Sequence, residues 1–209
     1  LMTPVWGVSA LMASRPITEI EELAGGVVYA PFERSPIDIY LKASFSQAGI
    51  ADEVSIAYAP FPQAAALLTE EKADAAVLVE PLASRLELAG RAYRVENLHE
   101  GWARISGGEP RSPQVSLFAV GDAVPAWSDA PALLTDRLRE MVQDVTEHPE
   151  TYAERYALEL GFPAPVVTEA LRNTLFDTPG ITETRRIITE YARIMELAPP
   201  GPDFYADLE

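Results

Sequence analysis

Cysteine is absent from this chain of 209 residues, and no apolar run approaches the ~18 residues that a membrane-spanning helix needs. Disulfides, cysteine-based metal sites and cysteine nucleophiles are therefore excluded. Basic residues are scarce, since 16 Lys and Arg stand against 32 Asp and Glu, for a formal net charge of −16. A chain this acidic repels phosphate backbones, which argues against nucleic-acid binding.

Signals for catalysis are equally sparse. The two histidines, His99 and His148, do not have the spacing of a metal site. His99 falls in a polar segment that we interpret as a turn, and His148 lies near the end of a predicted helix. Nucleophile-elbow, Walker-type and dinucleotide-binding glycine motifs do not occur. The sequence therefore predicts no catalytic residue, no metal site and no cofactor.

What is present is an alternation of strand and helix patterns. Apolar runs at Val27–Ala30, Val54–Tyr58 and Ala75–Val79 indicate strands that are buried on both faces. Helical segments separate and follow these runs; they begin near Pro36, Pro62 and Leu82. This order predicts a βαβαβ unit with parallel strands, and hence an α/β fold. A Gly-, Pro- and Ser-rich stretch over 104–113 is a candidate hinge, and a strand and several helices follow it.

Ligands of an open parallel sheet bind beyond the carboxyl ends of its strands. Here those ends lead into 31–36, 59–63 and Glu80-Pro81, which we expect to meet at one cleft. Ser35 and the backbone amides after it, at a helix N-terminus, are suited to an anionic group. The strong cap preference of Ser favours the alternative, a purely local role as the cap of its helix.

Glu80 follows a buried strand and precedes Pro81, so its carboxylate has little freedom to reach bulk solvent. It is expected to bind a ligand cation or, with equal weight, to form a structural salt bridge with Arg34 or Arg85. A zwitterion or a polar heterocycle would satisfy both Ser35 and Glu80. The complete set of predicted ligand contacts is Trp6, Ser35, Pro36, Phe61, Pro62, Gln63 and Glu80.

The stretch Leu23–Leu86 resembles the nitrate/sulfonate/taurine and thiamine-precursor group of ABC-transporter solute-binding proteins. The resemblance rests on EELAGGVVYAPFERSPIDIYLKASFSQAGI and VSIAYAPFPQAAALLTEEKADAAVLVEPLASRL, including Asp74-Ala75 and Glu80-Pro81. The helical region 131–176, with EHPETYAERYALELG, is similar as well. This resemblance implies a type II periplasmic-binding-protein fold, in which two α/β lobes close on a small polar molecule or anion.

The resemblance also implies a division of the chain. Residues 14–115 would form a nearly complete lobe, and 1–13 with 116–209 would form part of a second lobe whose N-terminal half is missing. The partner would be an ABC permease, and the location would be periplasmic or otherwise extracytoplasmic. Two other functions stay open: an enzyme of the same fold acting on a small cyclic acid or pyrimidine precursor, with Glu80 or Asp38 as base, and the ligand-sensing domain of a regulator.

Overall fold

The computed structural model of the chain describes residues 2–118 and 130–201. Its strands are β1 (Met2–Gly7), β2 (Ser9–Ala13), β3 (Val27–Ala30), β4 (Ser55–Tyr58), β5 (Ala75–Val79), β6 (Tyr93–Asn97), β7 (Val115–Leu117) and β8 (Leu175–Phe176). Its helices are α1 (Pro36–Gln47), α2 (Phe61–Thr69), α3 (Leu82–Leu88), α4 (Leu98–Ser106), α5 (Ala130–Glu147), α6 (Pro149–Leu160), α7 (Ala164–Asn173) and α8 (Ile181–Ile194).

Five of the described strands form the large sheet, in the order β4-β3-β5-β2-β6. Strand β3 is parallel to β4 and β5, as the βαβαβ pattern predicts. Strand β2 lies between β5 and β6 and runs antiparallel to both. The start of β2 therefore lies at the same edge of the sheet as the ends of the parallel strands.

Both faces of the large sheet are covered by helices, and its central strands β2 and β5 carry apolar side chains on both faces. Leu11 of β2 and Val77 of β5 point to one face, and Met12 and Leu78 point to the other. The first face packs against buried side chains of α1 and α4, namely Tyr40, Leu41, Phe45, Leu98 and Trp102. The second packs against buried side chains of α2 and α3, namely Ala64, Ala65, Leu68, Ala83 and Leu86.

Local sequence signals account for several helix ends. Ser35 is the N-cap of α1, where its Oγ accepts a 3.1 Å hydrogen bond from the Asp38 N–H, and Pro36 occupies the first helical position. Pro149 begins α6, and Gly161 ends it in a left-handed conformation with φ of 71°. The assignments of Ser35 and Pro36 agree with the sequence analysis.

The small sheet has the order β7-β1-β8 among the described residues, and both of its outer strands are antiparallel to β1. In the described part of the chain, two segments connect strands or helices of one sheet to strands of the other. Gly7-Val8-Ser9 joins β1 to β2, and the segment 107–114 joins α4 to β7. The end of α8 returns to the large sheet, where Met195 is buried in the same core as Leu11.

Two boundaries differ from the sequence analysis. Residues 9–13, which were assigned with 1–8 to the second lobe, form β2 in the middle of the large sheet. The candidate hinge over 104–113 begins too early, because α4 continues through Ser106. The capping box at the start of α4 favours a helix, and this helix extends into residues whose composition had predicted a loop. The strand that the sequence predicts after this hinge is observed over Val115–Leu117.

Within the described residues, no helix combines the length and the apolar character that crossing a membrane requires.

Candidate functional site

A small cleft, with a cavity volume of about 40 Å³, lies where the segments 7–9 and 107–114 pass between the sheets. It is at the edge of the large sheet where β3 and β6 end and β2 begins, which is where an α/β sheet places its ligands. The first turns of α1 and α4 form one wall, and the end of α8 closes another. The lining residues are Gly7, Val8, Ser9, Pro36, Ile37, Tyr40, Leu98, His99, Trp102, Ser112, Gln114, Tyr191 and Met195.

His99 is the least satisfied polar group of this cleft. Its Nδ1 is buried and has no hydrogen-bond partner among the described residues. Burial lowers the pKa of His99, Glu100 opposes that shift, and Arg94 adds to it. The imidazole is therefore neutral at pH 7 and has a nitrogen that can accept a hydrogen bond.

Gly7 makes the position of His99 possible. A Cβ at Gly7 would lie 2.3 Å from Nδ1 and 2.6 Å from Cβ of His99. Any side chain at Gly7 would thus displace the imidazole, so the glycine lets the crossover backbone pass directly against it.

Aromatic side chains supply most of the apolar wall. The rings of Trp102 and Tyr191 have centroids 5.1 Å apart and are tilted by 49°, which is a favourable aromatic pair. Burial raises the pKa of Tyr191 to about 12. Tyr40 presents its ring to the cleft, while its hydroxyl donates a 2.5 Å hydrogen bond to Oε1 of Glu96. Burial, with Glu96 next in importance, raises the pKa of Tyr40 above its usual range.

At the predicted anion site, side chains of the first turn of α1 fill the place that we expected a ligand anion to take. Ser35 is buried and caps α1, and the carboxylate of Asp38 in the first turn is fully buried. That carboxylate accepts hydrogen bonds from the Arg34 N–H at 2.7 Å, Lys42 at 2.8 Å and Tyr58 at 3.0 Å. Burial would raise the pKa of Asp38, but these hydrogen bonds outweigh it and hold the pKa below its ordinary value.

Glu80 forms a structural ion pair. Its Oε1 lies 2.8 Å from Nη2 of Arg94, and its Oε2 accepts from the Ser84 N–H at 3.1 Å. The side chains of Glu80 and Arg94 are only 4% and 12% exposed. The salt-bridge alternative therefore describes the geometry, but the partner is Arg94 of β6 rather than Arg34 or Arg85. The sequence gives no strand signal at Tyr93–Asn97, so it does not indicate Arg94 of β6 as the partner.

The other predicted contacts are separated from one another. Pro36 lines the cleft. Trp6 is fully buried in β1, where its indole N–H donates to the Asp177 carbonyl at 3.1 Å, so it has no surface left for a ligand. Pro62 and Gln63 are exposed at the start of α2 and Phe61 is half-buried there, but these three and Glu80 lie outside the cleft lining.

Sequence reasoning missed the side of the cleft that α4 provides. Asn97 and Glu100 form a capping box, with the Asn97 N–H donating to Glu100 at 3.3 Å. The spacing Asn-x-x-Glu before Trp102 was a readable helix start. It would have placed His99 in the first turn of a helix at the carboxyl end of a strand instead of in a turn.

No group of three or more acidic or histidine side chains suited to a metal ion occurs in residues 2–118 and 130–201.

Comparison of structures identifies the architecture. The periplasmic aliphatic sulphonate binding protein SsuA from Escherichia coli matches 92% of this chain with a TM-score of 0.68 and 18% sequence identity. The ligand-binding component of an ABC-type import system from Staphylococcus aureus, solved with zinc bound, matches 99% with a TM-score of 0.70 and 12% identity. The chain has the periplasmic-binding-protein fold. It spans 62% of the length of SsuA and 72% of the staphylococcal protein.

This fold also occurs in an enzyme. The desulfurization enzyme DSZB matches 93% of this chain, and 70% of its own length is covered, with a TM-score of 0.53 and 17% identity. No family model matches the sequence, and no curated protein matches it either. The similarity therefore concerns the fold, and the function has to be argued from the cleft.

Proposed function

We propose that this chain is the solute-binding component of an ABC-type importer and holds a small organic molecule in the cleft between its two sheets. The observation that carries the proposal is the position of the cleft at the two crossover segments. Residues 7–9 and 107–114 are the connections about which two lobes can close on a ligand. The predicted small polar solute and a membrane permease as partner belong to this proposal, as does an extracytoplasmic location.

The chemistry of the cleft supports binding without turnover. Its wall is mainly aliphatic and aromatic, with few polar groups, as is typical of small-molecule sites. Ser112 and Gln114 are hydrogen-bonded to each other at 3.1 Å, and Ser112 also donates to the Trp6 carbonyl at 3.3 Å. Among residues 2–118 and 130–201, no acidic or hydroxyl group contacts Nδ1 of His99 to form a nucleophile–base pair.

We propose Pro36, Tyr40, His99, Trp102 and Tyr191 as ligand contacts. Of the seven residues predicted from sequence, Pro36 is the one that we retain. Ser35 contributes indirectly, because it fixes the first turn of α1 beside Pro36. Glu80 supports the fold beneath the cleft through Arg94.

The proposal is tested by screening the purified chain against a library of small organic solutes by thermal shift. A ligand present at 100 times its Kd adds about 2.7 kcal/mol to the free energy of unfolding. His99→Ala should abolish the shift, whereas His148→Ala, at an exposed position outside the cleft, should preserve it. Each stabilising compound is then incubated with the chain and recovered for mass spectrometry. Conversion into a product would replace the carrier function with an enzymatic one.

A further inference from the structure

We propose that the end of α8, residues 191–195, is a lid that keeps the cleft narrow and moves off the large sheet to admit a solute. The proposal rests on the solute-binding function above and specifies how that site opens. A cavity of about 40 Å³ has room for little more than a water molecule, whereas small-molecule sites measure roughly 300–1,000 Å³. Part of the lining therefore has to move before a solute is bound.

The lid fills one side of the cleft through apolar contacts. Tyr191 and Met195 both line the cleft, and Met195 is only 4% exposed, in the same core as Leu11 of β2. The ring of Tyr191 packs against that of Trp102, with the centroids 5.1 Å apart. Within the described part of the chain, the hydrogen bonds and ion pairs of the lid stay inside α8. The lid can thus leave the large sheet without breaking a polar bond to it.

The start of α8 is held in a different way. Arg111, in the segment that joins α4 to β7, donates to Glu183 of α8 at 2.7 Å and to Asp177 at 2.8 Å. The N–H of the neighbouring Ser112 donates to the Trp6 carbonyl of β1 at 3.2 Å. The start of α8 is therefore tied to the small sheet, while its end is embedded in the core of the large sheet.

Because one helix spans both sheets, the opening of the lid and the opening of the hinge are the same movement. A rotation of the sheets about the two connecting segments draws the lid out of the large-sheet core. Helix α7 also meets α3, where Asn173 donates to Ser84 Oγ at 3.2 Å and Arg85 lies over the ring of Phe162. Water can replace polar contacts of this kind, so they resist opening less than the buried lid does.

Two features of the lid suit a reversible closure. Glu196 follows it directly with φ of 55°, a conformation that glycine adopts more readily, so the last turn of α8 is not firmly closed. Met195 is unbranched, and its flexible thioether adapts to different neighbours. When the lid returns over a solute, Met195 gives way to make room, and Tyr191 supplies an aromatic wall in this closed, loaded state.

The opening is measured as the distance between two spin labels, which attach only at introduced cysteines because the chain has none of its own. Gln47→Cys labels α1 of the large sheet, and Gln143→Cys labels α5, which contacts β1. Both positions are exposed. Pulsed electron spin resonance gives the distance distribution of the whole chain without any ligand. With the native lid we expect a narrow distribution with one main distance.

Truncating the lid should add a second, longer distance. Met195→Ala removes a side chain that is buried in the closed form alone, so the ratio of open to closed chains should rise at least about ten-fold. Met195→Leu keeps the volume and should retain the narrow distribution. Ile187→Ala is the matched control, because Ile187 is 6% exposed in the same helix but does not line the cleft. Asn173→Ala tests the contact with α3 and should also keep the distribution narrow.

A second lid variant covers a failure to fold. If circular dichroism shows that Met195→Ala is unfolded, Met195→Gln takes its place, since it keeps the length of the side chain and puts a polar amide into the apolar contact. We expect the same longer distance from this chain. An unchanged distribution in the folded lid variants would overturn the proposal, and so would an equal opening in Ile187→Ala.

The outcome for the lid is separate from that for the proposed function. If Met195→Ala opens but the library screen gives no cleft ligand, the lid stands as a movement of the fold and the carrier function fails. If a solute binds in the cleft while the folded lid variants keep the narrow distribution, the carrier function stands and the lid is wrong.

Discussion

Oη of Tyr40 donates a 2.5 Å hydrogen bond to Oε1 of Glu96 and thereby joins α1 to the strand that leads into α4. Both helices contribute their first turns to the cleft. Gly101 makes the contact possible, because a Cβ at this position would lie 1.7 Å from the Tyr40 hydroxyl and 2.9 Å from Glu96 Oε1. The width of the cleft between α1 and α4 therefore depends on a residue that has no side chain.

We predict that Gly101→Ala destabilises the fold by about 1–3 kcal/mol, the usual cost of forcing an extra methyl into a packed site. Urea denaturation gives the free energy of unfolding. Tyr40→Phe in the same chain removes the clashing oxygen and should restore part of the loss. Gly108→Ala is the matched control, since its nearest neighbour would be Ser106 Oγ at 3.8 Å. Equal stability of the Gly101→Ala and Gly108→Ala variants would contradict the packing described here.

Removing the charge at Glu80 should affect folding. Breaking a buried ion pair typically costs roughly 3–5 kcal/mol, because one charge is left without its partner. Since Arg94 keeps Glu87 and Asn97, we expect Glu80→Gln to cost about 3 kcal/mol, at the lower end of that range. Glu87→Gln removes a more exposed carboxylate from the same arginine and should cost about 1 kcal/mol or less. A larger loss for Glu87→Gln than for Glu80→Gln would reverse this ranking.

Asp38 should make stability depend on pH in the acidic range. Its pKa is lower in the folded chain than in the unfolded chain, so the stabilisation is present above the unfolded pKa and disappears as the pH falls through the folded value. At pH 7, Asp38→Asn should cost about 1.5–3 kcal/mol, the value of a hydrogen bond to a charged group. The difference between variant and wild type should shrink below the model-compound pKa of 3.8. A pH-independent difference would mean that the loss comes from shape rather than charge.

A side chain at Gly7 should displace His99. We expect Gly7→Ala to shift the imidazole proton resonances of His99 in NMR spectra, because a Cβ at Gly7 would lie 2.3 Å from Nδ1. Gly180→Ala provides the comparison, because a Cβ there meets no atom within 4 Å. Unperturbed His99 signals in the Gly7→Ala chain would place the imidazole elsewhere.

Much of the large sheet was predictable because each signal is local. The apolar runs of β3, β4 and β5 and the Ser35-Pro36 helix start are determined by neighbours in sequence, and the parallel pairing follows from their order. Strand β2 was not predicted, because a short apolar segment does not reveal that it will insert between β5 and β6. Its place is set by partners more than sixty residues away.

The candidate site was less accessible to sequence reasoning for the same reason. Pro36 was identified from the end of β3, and Trp6 lies next to the crossover but faces the core. Glu80 is directed to Arg94, a residue of a strand that has no strong apolar pattern of its own. To predict that His99 lies in the cleft, one would need to combine the capping box of α4 with the absence of a side chain at Gly7.

The central position of β2 has a consequence for biosynthesis. Its residues are translated before those of β5 and β6, yet they pair with Ala75–Val79 on one side and Tyr93–Asn97 on the other. The apolar segment 9–13 therefore has no strand partner until β5 has left the ribosome, and its other side stays unpaired until β6 follows. Contacts between residues so far apart in sequence form slowly, and until they form an apolar, aggregation-prone strand is exposed. Nascent chains that stop before β6 are consequently the ones we expect chaperones to retain.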